Sequence, residues 1–280
     1  MRTSSGPGFR FSPVAPIQVL EVMFHSGPNQ FGNYHLLLAH HTVEEPERFA
    51  VLFNAAANWW NARGYNFTVI MDNSLVECGG AVSKDMVMDA ADLIRKSLPY
   101  GNSNEVVAVL PDAMGDGITT RELVRCSIDS WTETARELGL SLMGVTQGYD
   151  AADFRRSLET LSADHRIKWL GVPRVLHKTM GSRVWAARDA VETGKQIHLL
   201  GFSDDMHDDF AASRVPGIRG IDSAVPIRLN APYALDAIVA PRDPKWFKEG
   251  QLSSQNRENL IAARTIFENR LSNASAMKIV

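Results

Sequence analysis

This chain of 280 residues contains little cysteine and no long apolar stretch. Its two cysteines, Cys78 and Cys126, are too few for a disulfide framework, and they exclude a zinc site built from three or four cysteines. No run approaches the roughly 18 apolar residues that cross a bilayer. Residues 1–8 are polar and lack the apolar segment of a signal peptide. We therefore expect a cytoplasmic protein with reduced thiols and no membrane partner.

The sequence also lacks the excess of basic residues that dedicated nucleic-acid-binding domains usually carry. Its formal net charge is −3. The charge is unevenly distributed, because residues 155–195 contain nine Lys and Arg against four Asp and Glu. Arg155, Arg156 and Lys168 in that region are candidates for contacts with phosphate groups, although solvated helical faces would give the same pattern.

The composition is otherwise that of a chain with a sizeable core, since 45% of the residues are hydrophobic and 22% are charged. No change in composition marks a linker, so we predict a single domain over residues 16–280. Residues 1–15 are rich in polar residues, glycine and proline, and we expect them to form a flexible leader.

Short apolar runs alternate with segments of helical periodicity along most of the chain. The first two runs are separated by a loop that contains glycine and proline, and the later ones mostly by predicted helices. The predicted strands are residues 17–24, 34–40, 67–71, 106–110, 141–146, 169–172, 197–200 and 218–222. The predicted helices are residues 44–63, 83–98, 119–138, 151–161, 180–192, 231–239 and 256–271, with a short acidic helix after the seventh strand.

This alternation of strands and helices implies a parallel sheet, and eight strands in a chain of this length indicate a (β/α)8 barrel. A doubly wound open sheet is the alternative. We would expect such a sheet to carry a Gly-x-Gly-x-x-Gly phosphate-binding turn, and the sequence contains none. The barrel is therefore the predicted fold.

Polar side chains follow five of the predicted strands. In a barrel the carboxyl ends of all strands face one mouth, so we expect these residues to share a site. Carboxylates and an amide together suit chemistry at a sugar carbon, where one carboxylate attacks and another moves a proton. They could also pair with the edge of a purine-like base. The five residues are Asp72, Asp112, Gln147, Arg174 and Asp222.

Other interpretations of these residues remain open. Asp222 follows a short apolar run and could serve only to cap the next helix. The carboxylates could instead bind a divalent metal, as in aldolase-type barrels. Histidines are concentrated early in the chain and could form a zinc or iron site. These are His25, His35, His40 and His41.

In several short motifs the chain resembles the tRNA-guanine transglycosylase superfamily and its DNA-acting relatives. Residues 144–148 (Gly-Val-Thr-Gln-Gly) and the helix segment 153–158 are similar to a strand end and helix of that family. Residues 220–228 resemble its Asp-x-x-x-Pro-x-Arg segment. Residues 70–74 resemble its Asp-Ser-Gly-Gly strand end, although the glycine pair comes later, at residues 79–80. The similarity extends over about residues 67–230, more than half of the chain.

The resemblance implies a role for each matching residue. Asp222 would be the nucleophile that forms a covalent link to C1′ of a nucleoside, and Asp72 would be the general acid/base. Asp112, Gln147 and the backbone of Gly171 would bind the edge of the base. The remaining residues assigned to substrate binding are Gly148, Arg174, Ser74 and Arg228.

The tRNA-acting members of that family carry a zinc subdomain with a Cys-x-Cys-x-x-Cys motif after the nucleophile, and no cysteine follows Cys126 here. The resemblance therefore implies a zinc-free pentosyltransferase that replaces guanine with a 7-deazaguanine, such as 7-cyano-7-deazaguanine, in DNA rather than in tRNA. It implies no cofactor, a location in the host cytoplasm if the enzyme is phage-encoded, and a homodimer as one arrangement.

Three alternative functions are retained. They are a transglycosylase that acts on tRNA, an unrelated lyase or aldolase barrel, and a non-catalytic partner subunit. An aldolase barrel would require a Schiff-base lysine or a set of metal ligands at strand ends. No lysine lies at the end of a predicted strand.

Overall fold

The structure is a computed structural model, and it describes residues 10–15, 17–100, 103–202 and 206–223. Arg228 and the helices predicted at residues 231–239 and 256–271 lie outside the described residues. Within the described ranges the chain alternates between strands and helices from residue 10 to residue 223.

Eight parallel strands form one sheet, in the order β1-β8-β7-β6-β5-β4-β3-β2. The two outer strands approach each other and nearly close the sheet into a barrel. The predicted (β/α)8 fold is thus confirmed. The strands are β1 (Arg10–Pro13), β2 (Tyr34–Leu38), β3 (Thr68–Asp72), β4 (Glu105–Val109), β5 (Ser141–Val145), β6 (Ile167–Pro173), β7 (Gln196–Leu200) and β8 (Ile218–Ser223).

Helices follow the strands, and their apolar faces pack against the outside of the sheet. Ser83 caps the helix that begins at Lys84, because its side chain accepts a hydrogen bond from the backbone N–H of Met86. The helices are α1 (Ile17–Ser26), α2 (Pro28–Phe31), α3 (Ala39–Glu44), α4 (Pro46–Asn61), α5 (Leu75–Cys78), α6 (Lys84–Ser97), α7 (Gly117–Leu138), α8 (Ala151–Ala163), α9 (Leu176–Met180), α10 (Arg183–Glu192) and α11 (Met206–Ser213).

The first strand differs from the prediction. Residues 17–24 were expected to form it, and they belong to α1, where Leu20 and Met23 are buried on one face together with Ile17 and Val19. The run Ile-Gln-Val-Leu-Glu-Val-Met-Phe fits both the helical and the strand period, so the pattern alone does not separate them. The strand is Arg10–Pro13, which was expected to belong to the flexible leader and which pairs with β8.

A side chain helps to close the barrel between β1 and β2. The hydroxyl of Ser12 accepts a hydrogen bond of 2.6 Å from the backbone N–H of Leu36. Ser12 is fully buried, so this bond satisfies a backbone donor that water does not reach. It takes the place of a regular ladder contact where the first and last strands of the sheet meet.

Buried apolar residues form two separate clusters. The larger one lies between the sheet and the helices. The smaller one, which includes Ile70, Val107, Met143 and Trp169, fills the interior of the barrel from residues on alternate positions of the strands. Among the described residues, none of the helices is both long and apolar enough to span a membrane.

Candidate active site at the barrel mouth

The five polar residues expected at strand ends lie at one end of the barrel. Asp72 is the last residue of β3, and Asp222 is the next-to-last residue of β8. Asp112, Gln147 and Arg174 follow β4, β5 and β6 within three residues. Since β4 lies opposite β8 in this strand order, Asp112 and Asp222 occupy opposite sides of the mouth.

Asp222 is the outer end of a polar chain that crosses the barrel interior. Its Oδ1 lies 2.9 Å from Nε2 of His198 on β7. Nδ1 of His198 lies 2.7 Å from the hydroxyl oxygen of Tyr34, the first residue of β2. All three side chains are buried, and Asp222 is 6% exposed. This hydrogen-bonded series of three side chains therefore connects the inner part of the barrel to its mouth.

The donors and acceptors of this chain follow from the chemistry of its members. An ionised Asp222 can only accept, so Nε2 of His198 carries the hydrogen and donates it. Nδ1 of the neutral imidazole is then an acceptor, and the hydroxyl of Tyr34 donates to it. Burial raises the pKa of Tyr34 well above its ordinary value, which keeps this hydroxyl protonated. Two aligned hydrogen bonds thus support the carboxylate.

The turn after β7 supplies a further hydrogen bond to Asp222. The backbone N–H of Gly201 donates to its Oδ1 at 2.9 Å. Gly201 has a φ of 67°, a left-handed conformation that glycine adopts without steric cost. The carboxylate of Asp222 is therefore held in one orientation by a backbone N–H and an imidazole.

Arg183, the first residue of α10, binds the backbone carbonyl groups of that turn. Its Nη1 donates to the carbonyl of Gly201 at 2.6 Å, and its Nη2 donates to the carbonyls of Val172 and Leu200 at 2.6 and 2.8 Å. Nη1 also lies 2.8 Å from Oδ1 of Asp209 on α11, and both side chains are fully buried. Arg183 therefore joins the ends of β6 and β7 and positions the turn that holds the Asp222 carboxylate.

Arg174 lies on the other side of the same turn. Its backbone N–H donates to the carbonyl of Leu200 at 3.0 Å, and its Nη1 donates to the carbonyl of Phe202 at 3.3 Å. Its Cδ lies 3.3 Å from where a Cβ on Gly201 would be. The half-buried side chain of Arg174 thus lies against the turn whose Gly201 N–H donates to Asp222. A guanidinium at such a position suits a carboxylate or phosphate group of a ligand.

On the opposite side of the mouth, Asp112 is held between two amides. Nδ2 of Asn73 donates to its Oδ1 at 2.7 Å, and Nε2 of Gln147 donates to its Oδ2 at 2.6 Å. Gln147 is oriented in turn by the backbone N–H of Gly115, which donates to its Oε1 at 2.9 Å. Burial raises the pKa of Asp112, and the two amide hydrogen bonds act in the opposite direction. The result is a rigid, buried polar group.

Asp72 and Ser74 occupy a strained turn beside this group. The backbone N–H of Ser74 donates to Oδ2 of Asp72 at 2.9 Å. Ser74 has a φ of 56°, which is unusual for a residue other than glycine. Its hydroxyl is buried and makes no hydrogen bond with any described residue. A strained residue with an unsatisfied hydroxyl is typical of a ligand-binding position.

The two glycines assigned to substrate binding are required for packing. A Cβ on Gly148 would lie 2.5 Å from the backbone nitrogen of Phe154, so Gly148 allows α8 to approach the strand end. A Cβ on Gly171 would lie 2.6 Å from Cδ1 of Leu200 inside the barrel. The carbonyl of Gly171 already accepts hydrogen bonds from the backbone and hydroxyl of Thr146. Neither observation shows a contact with a ligand.

The basic residues assigned to nucleic-acid binding do not share a surface at the mouth. Arg155 and Arg156 lie on α8, and Arg155 makes an exposed ion pair of 3.5 Å with Asp189. Lys168 is the second residue of β6 and is exposed at the amino end of that strand. Because the amino ends of the strands lie opposite the mouth, Lys168 is separated from the helix start by the height of the barrel.

The early histidines do not converge on one point. His35 is packed among aromatic rings, including Phe31 and Phe67, and Nδ1 of His25 lies 2.7 Å from the carbonyl oxygen of Glu21. His40 and His41 stack on each other. In the part of the chain that the structure describes, no three or more His, Cys, Asp or Glu side chains are grouped to hold a metal ion.

Comparison with known proteins identifies similar folds only. No protein-family model and no curated protein matches the chain. One similar solved structure is a protein from Coccidioides immitis assigned as a fructose-1,6-biphosphate aldolase, with 11% identity, a TM-score of 0.58 and coverage of 96% of this chain and 91% of that one. Another is the YdjI aldolase from Escherichia coli K12, with 12% identity, a TM-score of 0.53 and coverage of 95% and 89%.

The predicted membership of the transglycosylase superfamily, and with it the pentosyltransferase activity, is wrong. No family model or curated protein supports it, and the similar solved structures are aldolase barrels. The expected exchange of guanine in DNA depended on this resemblance and loses its basis. The matching motifs are short and consist of residues that strand ends need for other reasons, as Gly148 shows by its packing against α8.

Three residues of the site are not predicted by the sequence pattern. Tyr34 and His198 were treated as parts of apolar strands, and Arg183 as part of an ordinary helix. A signal was present for His198, because a titratable residue inside a short apolar strand must have a buried partner. For Arg183 the local pattern carried no signal, since its partners on β6, β7 and α11 are distributed over the fold.

Proposed function

We propose that this protein is a (β/α)8 enzyme of the lyase or aldolase type, in which Asp222 moves a proton at a carbonyl substrate. The observation that carries the proposal is the buried chain from Tyr34 through His198 to Asp222, which ends at the barrel mouth. A carboxylate that is buried, oriented by two donors and backed by an imidazole has the features of a general acid/base. The fold of the aldolases that resemble this chain supports the proposal.

The substrate class follows from the neighbours of Asp222. Arg174 provides a positive charge beside the same turn, which favours a substrate with a carboxylate or phosphate group. The group formed by Asn73, Asp112 and Gln147 lies across the mouth and suits hydroxyl groups. A small hydroxy-carbonyl compound with one anionic end satisfies both requirements.

The proposed step in the cleavage direction is a retro-aldol reaction. Asp222 takes the proton of the hydroxyl group β to the carbonyl, and the O–H electron pair forms a new carbonyl group there. The bond between the α and β carbons breaks, and its electron pair forms the enolate of the second product. Asp222 then returns the proton that it took to the α carbon of this enolate, so Asp222 is again ionised and the two products together contain every atom of the substrate. In the reverse direction, Asp222 removes a proton from that α carbon.

The residues around the mouth carry this step in the proposal. His198 and Gly201 hold the carboxylate of Asp222 in place, and Arg174 stabilises negative charge that develops on the substrate. No described lysine lies directly at the carboxyl end of a strand, so no residue is assigned to a Schiff base. No step is assigned to a metal ion, because the described residues contain no ligand group for one.

Solvent-exchange measurements test the proposal. The protein is incubated in D2O with pyruvate, 2-oxobutyrate, dihydroxyacetone phosphate and 4-hydroxy-2-oxo acids, and deuterium at the α carbon is followed by NMR. Enolate formation exchanges these protons even when no cleavage partner is present. We expect exchange with at least one compound and a loss of about 10²–10⁴-fold in Asp222→Asn.

The matched control is Asp89→Asn, which makes the same change at an exposed position of α6. This variant should exchange at the wild-type rate. Absence of exchange above the buffer rate with every compound would refute the proposed function. Wild-type exchange by a folded Asp222→Asn variant would refute the role of Asp222.

A further inference from the structure

The end of the barrel opposite the mouth carries two arginines that lack an anionic partner. Arg10 is the first residue of β1, and Arg219 is the second residue of β8. Neither guanidinium makes a hydrogen bond or an ion pair with any residue in the described ranges. Both are half-buried. Charged groups that lose contact with water are normally paired, so this pair requires an explanation.

Strand register places Arg10 on the inner face of the barrel. Arg10 pairs with Gly220 in the parallel ladder, and residues paired in this way point to the same face of a sheet. A Cβ on Gly220 would lie 2.6 Å from Cε1 of Tyr34, so that face is the interior. Gly220 thus makes room for the ring of Tyr34, and Arg10 lies beside it on the inner face at the barrel floor.

Arg219 reaches the same floor from the neighbouring strand, because the regular alternation of β8 is interrupted at this residue. Ile197 and His198 on β7 pair with Ile218 and Gly220, and the register shift leaves Arg219 between them. Its Cζ lies 5.9 Å from the centroid of the Trp169 ring, which belongs to the interior cluster. Arg219 directly precedes Gly220, the residue that pairs with Arg10, so the two arginines lie at the same level of adjacent strands. Burial, followed by the charge of Arg219, lowers the pKa of Arg10. Both charges also act on the buried hydroxyl of Tyr34.

Among the residues that the structure describes, the carboxylate of Glu105 faces this floor and balances one of the two positive charges. Oε1 of Glu105 accepts hydrogen bonds from the hydroxyl of Ser141 at 2.7 Å and from Nε1 of Trp169 at 3.1 Å. Two arginines and one glutamate leave a net charge of +1. The nine residues that precede Arg10 contain no Asp or Glu. The described part of the floor is therefore cationic, and the guanidinium N–H donors of Arg10 and Arg219 are available to a ligand.

We propose that Arg10 and Arg219 form a binding site for a phosphate-type oxyanion at the barrel floor. Two guanidinium groups on adjacent strands supply several charged N–H donors, and the guanidinium group binds phosphate or sulfate bidentately. The anion removes the repulsion between the two cations and restores the pairing that half-buried charges require. The site lies at the other end of the barrel from Asp222 and does not rest on the proposed function.

Calorimetric titration with inorganic phosphate tests this site. The titration is carried out on the whole protein at constant ionic strength, with chloride as the replaced anion. We expect saturable binding of one phosphate per chain with a dissociation constant of about 1 mM or below. Arg10→Gln and Arg219→Gln should each weaken binding by about tenfold or more, since each removes one charge-assisted contact. Arg125→Gln, at an exposed position of α7, should bind as the wild type does.

A second titration with a phosphate monoester distinguishes a free anion from the phosphate group of a larger molecule. Binding of the monoester at least as tightly as phosphate identifies the larger ligand class, and binding of phosphate alone identifies a free anion; both support the site. Heats that do not saturate, or that equal those of the chloride control, would overturn it.

Equal affinity in the wild type and in both glutamine variants would also overturn the site. If a glutamine variant does not fold, Arg10→Lys keeps the charge and removes the bidentate geometry. This variant should bind phosphate about tenfold more weakly than the wild type. Because every measurement here is of binding, these results do not depend on whether the proposed reaction occurs.

Discussion

Replacement of Arg183 with methionine should strongly destabilise the fold. The change removes the four hydrogen bonds from Arg183 to the carbonyls of Val172, Leu200 and Gly201 and to Asp209. It also leaves the carboxylate of Asp209 buried without its cation. Removal of one partner of a buried ion pair costs about 3–5 kcal/mol. That loss is a large part of the total stability of a domain, which is about 5–15 kcal/mol.

This loss in the free energy of unfolding is measured by urea denaturation, with circular dichroism as the signal. The matched control is Arg188→Met on the same helix, where the side chain is exposed and the change should cost less than about 0.5 kcal/mol. The double variant Arg183→Met, Asp209→Leu should cost less than the sum of the two single changes, because no uncompensated charge remains.

A loss below about 1 kcal/mol in Arg183→Met would contradict this reasoning. It would mean that the carbonyl ends of β6 and β7 are satisfied without the guanidinium. Strict additivity of the two single changes would separately contradict the coupling between Arg183 and Asp209. If Arg183→Met does not fold at all, Arg183→Lys retains a charge beside Asp209 and should lose an intermediate amount of stability.

Three further predictions concern other parts of the site. Gly148→Ala should lower the free energy of unfolding in urea by about 1–3 kcal/mol, since the new Cβ would meet the α8 backbone at 2.5 Å. The control Gly80→Ala should leave it unchanged, because no atom lies near the position of its Cβ. Tyr34→Phe should lower the rate of proton exchange and reduce the free energy of unfolding by about 1–3 kcal/mol, because the imidazole of His198 loses its hydrogen-bond donor. The exposed control Tyr100→Phe should change neither value, and a Tyr34→Phe variant that also changes neither would contradict this prediction. Because burial raises the pKa of Asp112, the folded state retains a proton that the unfolded chain loses above about pH 3.9. Stability should therefore fall as the pH rises from that value through the raised pKa, and an equally steep fall in Asp112→Asn would show that another group is responsible.

The sequence was sufficient to predict the fold because its signal is repeated. Buried strands and amphipathic helices alternate from residue 67 onward, and each repeat supports the same barrel. The first strand was not predictable in this way. Arg10–Pro13 is only four residues long and contains no apolar run, and it is stabilised by pairing with β8, which is distant in sequence.

The strand-end residues of the site were predictable, and their partners were not. Asp222 follows an apolar run that ends near a proline, which is a local pattern. Its partner His198 and the supporting Arg183 act through contacts between elements that are distant in sequence. The resemblance to a known family failed for a related reason, because short motifs at strand ends reflect turn geometry as well as chemistry.

The most direct test of the central claim asks whether Asp222 and His198 act as one unit. The rate of α-proton exchange is measured for Asp222→Asn, His198→Gln and the double variant, each with its fold verified. If the imidazole works only through the carboxylate, the double variant should be within about twofold of Asp222→Asn alone. A double variant that loses the product of the two single effects, or a His198→Gln variant with the wild-type rate, would contradict the claim.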